Sequence, residues 1–436
     1  MTTRSAICRL IVHCLLVAAV IHITMEQTSA EPEGYNYDES KVPVYTLPDA
    51  LTCLDGSKVT TPTQWKSKRR AELLKLFTEQ VYGRTPSAAV TVREELVETT
   101  PALNGLATRK QVRLVLENNG VARHIDVLMY LPANAPGHVP AFLGLNFQGN
   151  HTISADPAIR LPDTWVEPKP AAGLTNNRAT DKMRGFEASL WQVEKIIARG
   201  YGVVTAYRGD IFPDHPNGLA ESVIPLFQKE LAPGDWNALG AWAWALSRLY
   251  EYLERGRDVD VRRLVLIGHS RLGKAALWAG AQDERFGIVI SNNSGEGGAA
   301  LARRCFGETT KRVNTSFPQW FCGNFKQYSD KEASMPVDAH ELLSLIAPRP
   351  LYVASAADDL WADPKGEFLS AKIAGEVYAL LGKKGVGVAE QPPVNTPVGE
   401  DVAYHIRTGK HDVTAYDWDQ YLNFADRHFG SPNLRK

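Results

Sequence analysis

One short run constrains the fold of this chain more than any other: Val265-Leu266-Ile267-Gly268-His269-Ser270-Arg271-Leu272-Gly273-Lys274. A buried strand enters a tight turn, and the turn enters an Ala-rich helix predicted over residues 272–281. A serine on such a strand-to-helix corner projects its hydroxyl above a parallel sheet, and small flanking residues let the chain pass. The helix N-terminus beneath it offers free N–H groups and positive potential, which suit an oxyanion. The spacing is Gly-x-Ser-x-x-Gly, one residue longer on its far side than the usual Gly-x-Ser-x-Gly. A serine N-cap on an ordinary helix is the competing reading.

Around this corner the apolar pattern alternates between strand and helix. Apolar residues recur at every second position between about 90 and 131 (Val112, Leu114, Leu116; Ile125, Val127, Met129), which predicts antiparallel strands opening a sheet. Short apolar runs at 141–147, 202–207, 265–267, 286–290, 350–355 and 402–406 predict further strands. Helical periodicity marks 65–81, 235–253, 367–381 and 414–429. Such alternation builds a mostly parallel sheet covered on both faces. The expected class is α/β: a three-layer α/β-hydrolase sandwich with an antiparallel start and loop insertions. Residues 153–188 carry proline and polar residues without period and read as an insertion, a common place for binding function. No linker splits the chain. Residues 66–436 are expected to form one catalytic domain, preceded by an extended arm over 31–65.

The first thirty residues read as a signal peptide. Arg4 and Arg9 make a positive n-region, residues 10–23 are nearly all apolar, and Thr28-Ser29-Ala30 is a small-residue cleavage site before Glu31. An uncleaved anchor is the alternative, but the run is short for a span of ~20 residues. The mature chain is expected to be periplasmic or secreted, without stable membrane insertion, and to act as a monomer. A formal net charge of −1 leaves no basic field for nucleic acid. Cys8 and Cys14 fall in the signal, so Cys53, Cys305 and Cys322 allow at most one disulfide; Cys305–Cys322 is the pair possible by proximity in sequence. No Cys/His spacing indicates zinc, and neither metal nor organic cofactor is expected.

A serine nucleophile needs a base within hydrogen-bond reach and an acid that orients the base. In this fold the chain order is Ser, acid, His. Of eleven histidines, only His405, His411 and His428 come late enough. His405 lies in a strand pattern and His428 in the final helix, which leaves His411 in the loop Gly409-Lys410-His411-Asp412 as the candidate base. For the acid, the strand Leu351-Tyr352-Val353-Ala354-Ser355 runs into Ala356-Ala357-Asp358-Asp359. Asp359 is the first choice and Asp358 the second; Glu296, in Ser294-Gly295-Glu296-Gly297-Gly298, is a further alternative. Arg271 would lie beside the oxyanion and stabilise its charge, unless a neighbouring carboxylate occupies it. Lys274 lies one helical turn on.

Together these residues resemble the glucuronoyl esterases, carbohydrate esterase family 15, and specifically their bacterial members, over about residues 82–429. The resemblance rests on Gly268-x-Ser270-Arg271-x-Gly273-Lys274, Ser294-Gly295-x-Gly297-Gly298, Phe306-Gly307-Glu308 and Phe317-Pro318-x-Trp320-Phe321-Cys322. The run from Ile346 to Ser355 and the run Asp359-Leu360-Trp361-Ala362-Asp363-Pro364 to Phe368 complete it. It implies cleavage of the ester between (4-O-methyl)glucuronic acid of glucuronoxylan and lignin alcohols. It implies Ser270 as nucleophile, His411 as base and Arg271 as oxyanion stabiliser, with Lys274, Glu308 and Trp361 holding the sugar. Many members carry the triad acid as Glu just before Ser-Gly-x-Gly-Gly. Here that slot is Asn293, which shifts the acid role to Asp359. Fungal members place cysteines where this chain has His269 and Asp412, so that disulfide is absent. The remaining alternatives are another carbohydrate esterase, such as an acetyl xylan esterase, and an inactive carbohydrate-binding relative.

Overall fold

The computed structural model describes residues 32–135, 137–170, 174 and 176–432. The signal-peptide reading, with Cys8 and Cys14, lies outside the described residues.

Among the described residues ten strands form one sheet: β1 Thr91–Ala102, β2 Ala107–Asn118, β3 Val121–Pro132, β4 Val139–Asn146, β5 Gly202–Tyr207, β6 Val259–His269, β7 Ile288–Asn292, β8 Leu351–Ala356, β9 Val398–Gly399 and β10 Val402–Arg407. Their order is β1-β2-β3-β5-β4-β6-β7-β8-β10-β9. The β1–β2, β2–β3 and β3–β5 pairs are antiparallel, and every pair from β5–β4 to β8–β10 is parallel. The β2–β3 hairpin closes through Asn119-Gly120, both at positive φ (49° and 74°). That is the sequence and geometry a two-residue hairpin turn requires.

The two ends of the sheet have different surfaces for a physical reason. The crossover helices bury the parallel strands on both faces, so β4, β5, β7, β8 and β10 are buried along their whole length. Strand β1 has no such cover on its outer side and is mostly exposed. Successive residues of β6 enter opposite cores. Leu264 and Leu266 join the core beneath helices Ala238–Arg255, Arg271–Gln282 and Pro364–Leu380. Val265 and Ile267 join the core beneath helix Ala415–Phe429. Period-two alternation in one central strand thus makes the three layers.

The predicted strands and helices lie where the periodicity placed them, with ends shifted by a few residues. The helical stretch predicted at 65–81 is a run of α and π turns, Arg70–Phe77 being its longest α segment, started by a Thr61/Gln64 capping box. Helices Thr310–Ser316 and Ala339–Ser344 and strand β9 were not expected; each is too short to show a period. Residues 34–61 carry little regular structure, yet they are fastened down. Pro48 O bonds His340 Nε2 (2.8 Å) and Ala50 O accepts from Arg69 Nε (3.1 Å).

The possible Cys305–Cys322 bridge is not formed: Cys53, Cys305 and Cys322 are free thiols. Cys305 is held in a left-handed turn after Ala302–Arg304, while the Cys322 N–H is tied to Val81 O (3.0 Å) in the first helical stretch. Short spacing in sequence does not bring the two together. Among the described residues no helix is long and apolar enough to cross a membrane.

Candidate active site

Strand β6 delivers the chain to Ser270, whose φ/ψ of 55°/−132° is outside the regions ordinary for an L-residue. Such a backbone costs of order 1–3 kcal/mol and persists only where its surroundings hold it. Here Ser270 N–H donates to Asn292 O (2.9 Å), and Ser270 O accepts from Gly273 N (2.8 Å). A Cβ at Gly268 would fall 2.1 Å from Leu272 O, so only glycine lets the strand pass the returning helix. The displaced second glycine has a related reason: a Cβ at Gly273 would sit 3.0 Å from the Ser294 side chain. Ser270 makes no capping bond to helix Arg271–Gln282, which removes the N-cap reading and leaves its hydroxyl uncommitted.

The loop after β10 carries His411, and the loop after β8 carries Asp359. The parallel pairing of β8 with β10 brings the two together. His411 Nδ1 donates to Asp359 Oδ2 over 2.6 Å. With Nδ1 carrying the proton, Nε2 is left as the basic nitrogen. The ring is 39% exposed and lies 4.5 Å, centroid to centroid, from His269, the residue before Ser270. Asp359 itself is buried. Burial raises its carboxyl, but the His411 imidazole and the Asn293 amide outweigh that and hold it below its ordinary value of 3.8. Asn293 Nδ2 donates to the same Oδ2 over 2.6 Å. The other acids are not joined to His411. Asp358 is exposed, and buried Glu296 accepts from Thr310 Oγ1 (2.6 Å). Burial pushes the Glu296 carboxyl well up.

The His411 loop is wrapped around one guanidinium. Buried Arg407, the last residue of β10, donates to Thr408 O (3.0 Å), Lys410 O (2.9 Å) and Asp412 O (2.5 Å), and is anchored through Nε to Asp417 Oδ2 (2.7 Å). Asp417 also accepts from His405 Nε2 (2.9 Å). His428 Nε2 meets Glu400 O (3.1 Å), and its ring packs edge-on against Phe424 (4.5 Å).

Arg271, next to the serine, is occupied on one side. Its Nη1 donates to Asp214 Oδ2 (2.6 Å), and its guanidinium lies over Trp320 and Phe317 (4.8 and 5.2 Å). Asp214 Oδ1 accepts from Gln319 Nε2 and Trp320 Nε1 (both 2.8 Å), and Arg208 also pairs with this carboxylate. Burial raises the Asp214 carboxyl, but the two arginines overcome it and hold it well below its ordinary value. Among the described residues Arg271 bonds through Nη1 alone, and its buried Nε has no acceptor.

Lys274, Glu308 and Trp361 also come together. Lys274 Nζ donates to Glu308 Oε2 (2.8 Å) and Ser294 O (2.7 Å), and Glu308 N–H donates to Trp361 O (2.9 Å). The Ser294 loop is in turn fixed by buried Glu367, which accepts from the N–H groups of Ser294 (2.7 Å) and Gly295 (3.0 Å). Among the described residues no group of acidic, His or Cys side chains could hold a metal ion.

A family model for fungal glucuronyl esterases matches residues 226–382, the stretch that carries Ser270, Lys274, Glu308 and Asp359. A carbohydrate esterase named MZ0003, from an unknown prokaryotic organism, is 48% identical over 422 residues, 95% of this chain and 98% of that protein. The solved structure of a promiscuous CE15 esterase from a marine bacterial metagenome superposes with a TM-score of 0.86 at 49% identity, covering 91% of this chain and all of that one. The chain belongs to the glucuronoyl esterases, carbohydrate esterase family 15. The solved glucuronoyl esterase from Solibacter usitatus agrees, with a TM-score of 0.85, 50% identity and coverage of 90% of this chain and 100% of that one.

As a glucuronoyl esterase the chain departs from the common pattern at Asn293, and the geometry supplies a use for that residue: its amide shares the Asp359 oxygen with His411. Asp214, Arg208, Arg407 and Asp417 escaped the sequence reading. Arg208, Arg407 and Asp417 lie at strand or helix ends and Asp214 in a loop, and nothing in their local spacing announces which distant group each meets.

Proposed function

We propose that this glucuronoyl esterase hydrolyses esters between (4-O-methyl)glucuronic acid of glucuronoxylan and lignin alcohols through a covalent glucuronoyl-serine intermediate. The observation that carries the mechanism is the 2.6 Å bond from His411 to Asp359, beside a Ser270 whose strained backbone keeps its hydroxyl free. His411 Nε2 takes the Ser270 proton as Oγ attacks the ester carbonyl. The carbonyl oxygen becomes an oxyanion facing the free N–H groups of Arg271 and the start of helix Arg271–Gln282. The C–O bond to the alcohol breaks, and His411 returns the proton to the leaving oxygen. Water then attacks the acyl-serine by the same route, releasing the uronic acid and restoring Ser270. Asp359 stays ionised and stabilises the transient imidazolium. Lys274, Glu308 and Trp361 hold the sugar through charge-assisted hydrogen bonds and an indole face.

Hydrolysis of benzyl glucuronate tests this. The wild-type chain is expected to turn it over, and Ser270→Ala to lose about 10⁶-fold in kcat. An active Ser270→Ala chain would sink the serine mechanism, and an inert wild type would favour a carbohydrate-binding relative. Lys274→Ala separates the uronate reading from an acetyl xylan esterase: uronate-ester cleavage should fall far more than acetate release. Export is part of the proposal, supported by the charged and apolar pattern of the first thirty residues; a mature N-terminus at Glu31 in the secreted protein is the expected result.

A further inference from the structure

Arginines in this part of the chain are paired, with one exception. Arg303 meets Asp338 (3.0 Å), and Arg304 meets Asp363 (2.8 Å) and Glu39 (2.5 Å). Arg312 has no carboxylate and no hydrogen-bond acceptor for its guanidinium among the described residues, and its Nε is buried unpaired. A half-buried cation left without an acceptor has lost part of its hydration with no hydrogen bond in return. What surrounds it is aromatic. The guanidinium lies 5.9 Å from the Tyr35 ring and 5.8 Å from the Trp361 ring, and those two rings meet edge-on at 5.0 Å.

This cluster adjoins the sugar-holding residues. The Trp361 carbonyl accepts from the Glu308 N–H (2.9 Å), and the Asn36 carbonyl, beside Tyr35, accepts from the Gly307 N–H (2.8 Å). The arm is thereby pinned along the loop that carries Glu308. Two half-exposed aromatic rings and the Nη N–H donors of a planar guanidinium match a sugar, which presents apolar C–H faces and hydroxyl acceptors together.

We propose that Tyr35, Arg312 and Trp361 form a second carbohydrate subsite, for the neutral sugar units of the chain that bears the uronate. The inference rests on the glucuronoyl esterase reading. It makes the N-terminal arm part of substrate recognition.

The test compares kcat/KM on benzyl glucuronate with kcat/KM on the benzyl ester of glucuronic acid attached to xylotriose, for wild type, Arg312→Gln, Arg312→Lys and Tyr35→Ala. Wild type is expected to favour the oligosaccharide ester. Arg312→Gln should cut that preference about tenfold, through KM, as loss of one hydrogen bond from a charged group does. Tyr35→Ala should act in the same direction, and Arg312→Lys should keep part of the preference. A wild type without preference overturns the proposal, as does a preference that none of the variants alters. If Arg312→Gln does not fold, Arg312→Lys and Tyr35→Ala decide. Failure of the glucuronoyl esterase reading is a separate result: wild type then leaves benzyl glucuronate intact.

Discussion

Two histidines of the last stretch of the chain, His411 and His405, each bond an aspartate, and only one of them keeps a ring nitrogen free. His411 bonds Asp359 through Nδ1 (2.6 Å), keeps Nε2 free of hydrogen bonds among the described residues, and is 39% exposed. His405 bonds Asp417 through Nε2 (2.9 Å), spends Nδ1 on the Tyr352 hydroxyl (2.9 Å), and has no exposed side-chain surface. Burial outweighs the neighbouring carboxylate and holds the His405 imidazole below its ordinary value. Asp417 also differs from Asp359, because Arg407 already neutralises it (2.7 Å). A short His–carboxylate bond is thus no mark of a base. A free second nitrogen at the surface is.

The sharpest way to break this comparison is to remove each imidazole. His411→Ala should cost about 10⁶-fold in kcat on benzyl glucuronate while the chain stays folded. Asp359→Asn should follow, with about 10⁴-fold loss, because an amide no longer fixes the proton on Nδ1. It also has a pH signature. The Asp359 carboxyl is depressed in the folded state, so the stability it contributes is present above about pH 4 and lost as pH falls through the folded value. The gap between wild type and Asp359→Asn in urea unfolding should therefore narrow as pH is lowered from about 6 to about 3. Equal gaps throughout would mean that Asp359 carries no depressed carboxyl.

Arg407→Met sharpens the contrast from the other pair. It strands Asp417 without its guanidinium, which should destabilise the chain by about 3–5 kcal/mol in urea unfolding. It also removes the three-carbonyl template of the His411 loop, and a misplaced base should lower kcat about tenfold to a hundredfold in the fraction still folded. The smallest effect is expected for His405→Gln: a stability loss of about 1–3 kcal/mol, with kcat within about threefold of wild type well below its melting temperature. A collapse of kcat in folded His405→Gln would show that the buried pair takes part in the reaction.

Much of this was legible in the chain. Strand periodicity exposed the sheet because each central strand faces two cores. The serine corner announced itself because a reversal that tight admits only glycine at 268, where a Cβ would meet Leu272 O at 2.1 Å. His411 was singled out by elimination and by resemblance. The acid was harder: Asp358, Asp359 and Glu296 are indistinguishable by spacing. The polar support of Arg271 and of the His411 loop could not be read at all, since a buried Asp such as Asp214 or Asp417 looks in sequence like any surface acid.

The sequence by itself determined the alternation of elements, the strained corner and the family, because these depend on local conformation and on runs of neighbouring residues. Only the tertiary structure decided which carboxylate meets His411, what occupies one side of Arg271, and that the arm reaches Trp361 through Tyr35. Those choices depend on where parallel strands end relative to one another, and on how buried charge finds a partner across distant parts of the chain. Low-dielectric surroundings make such partners compulsory without fixing where in the sequence they come from.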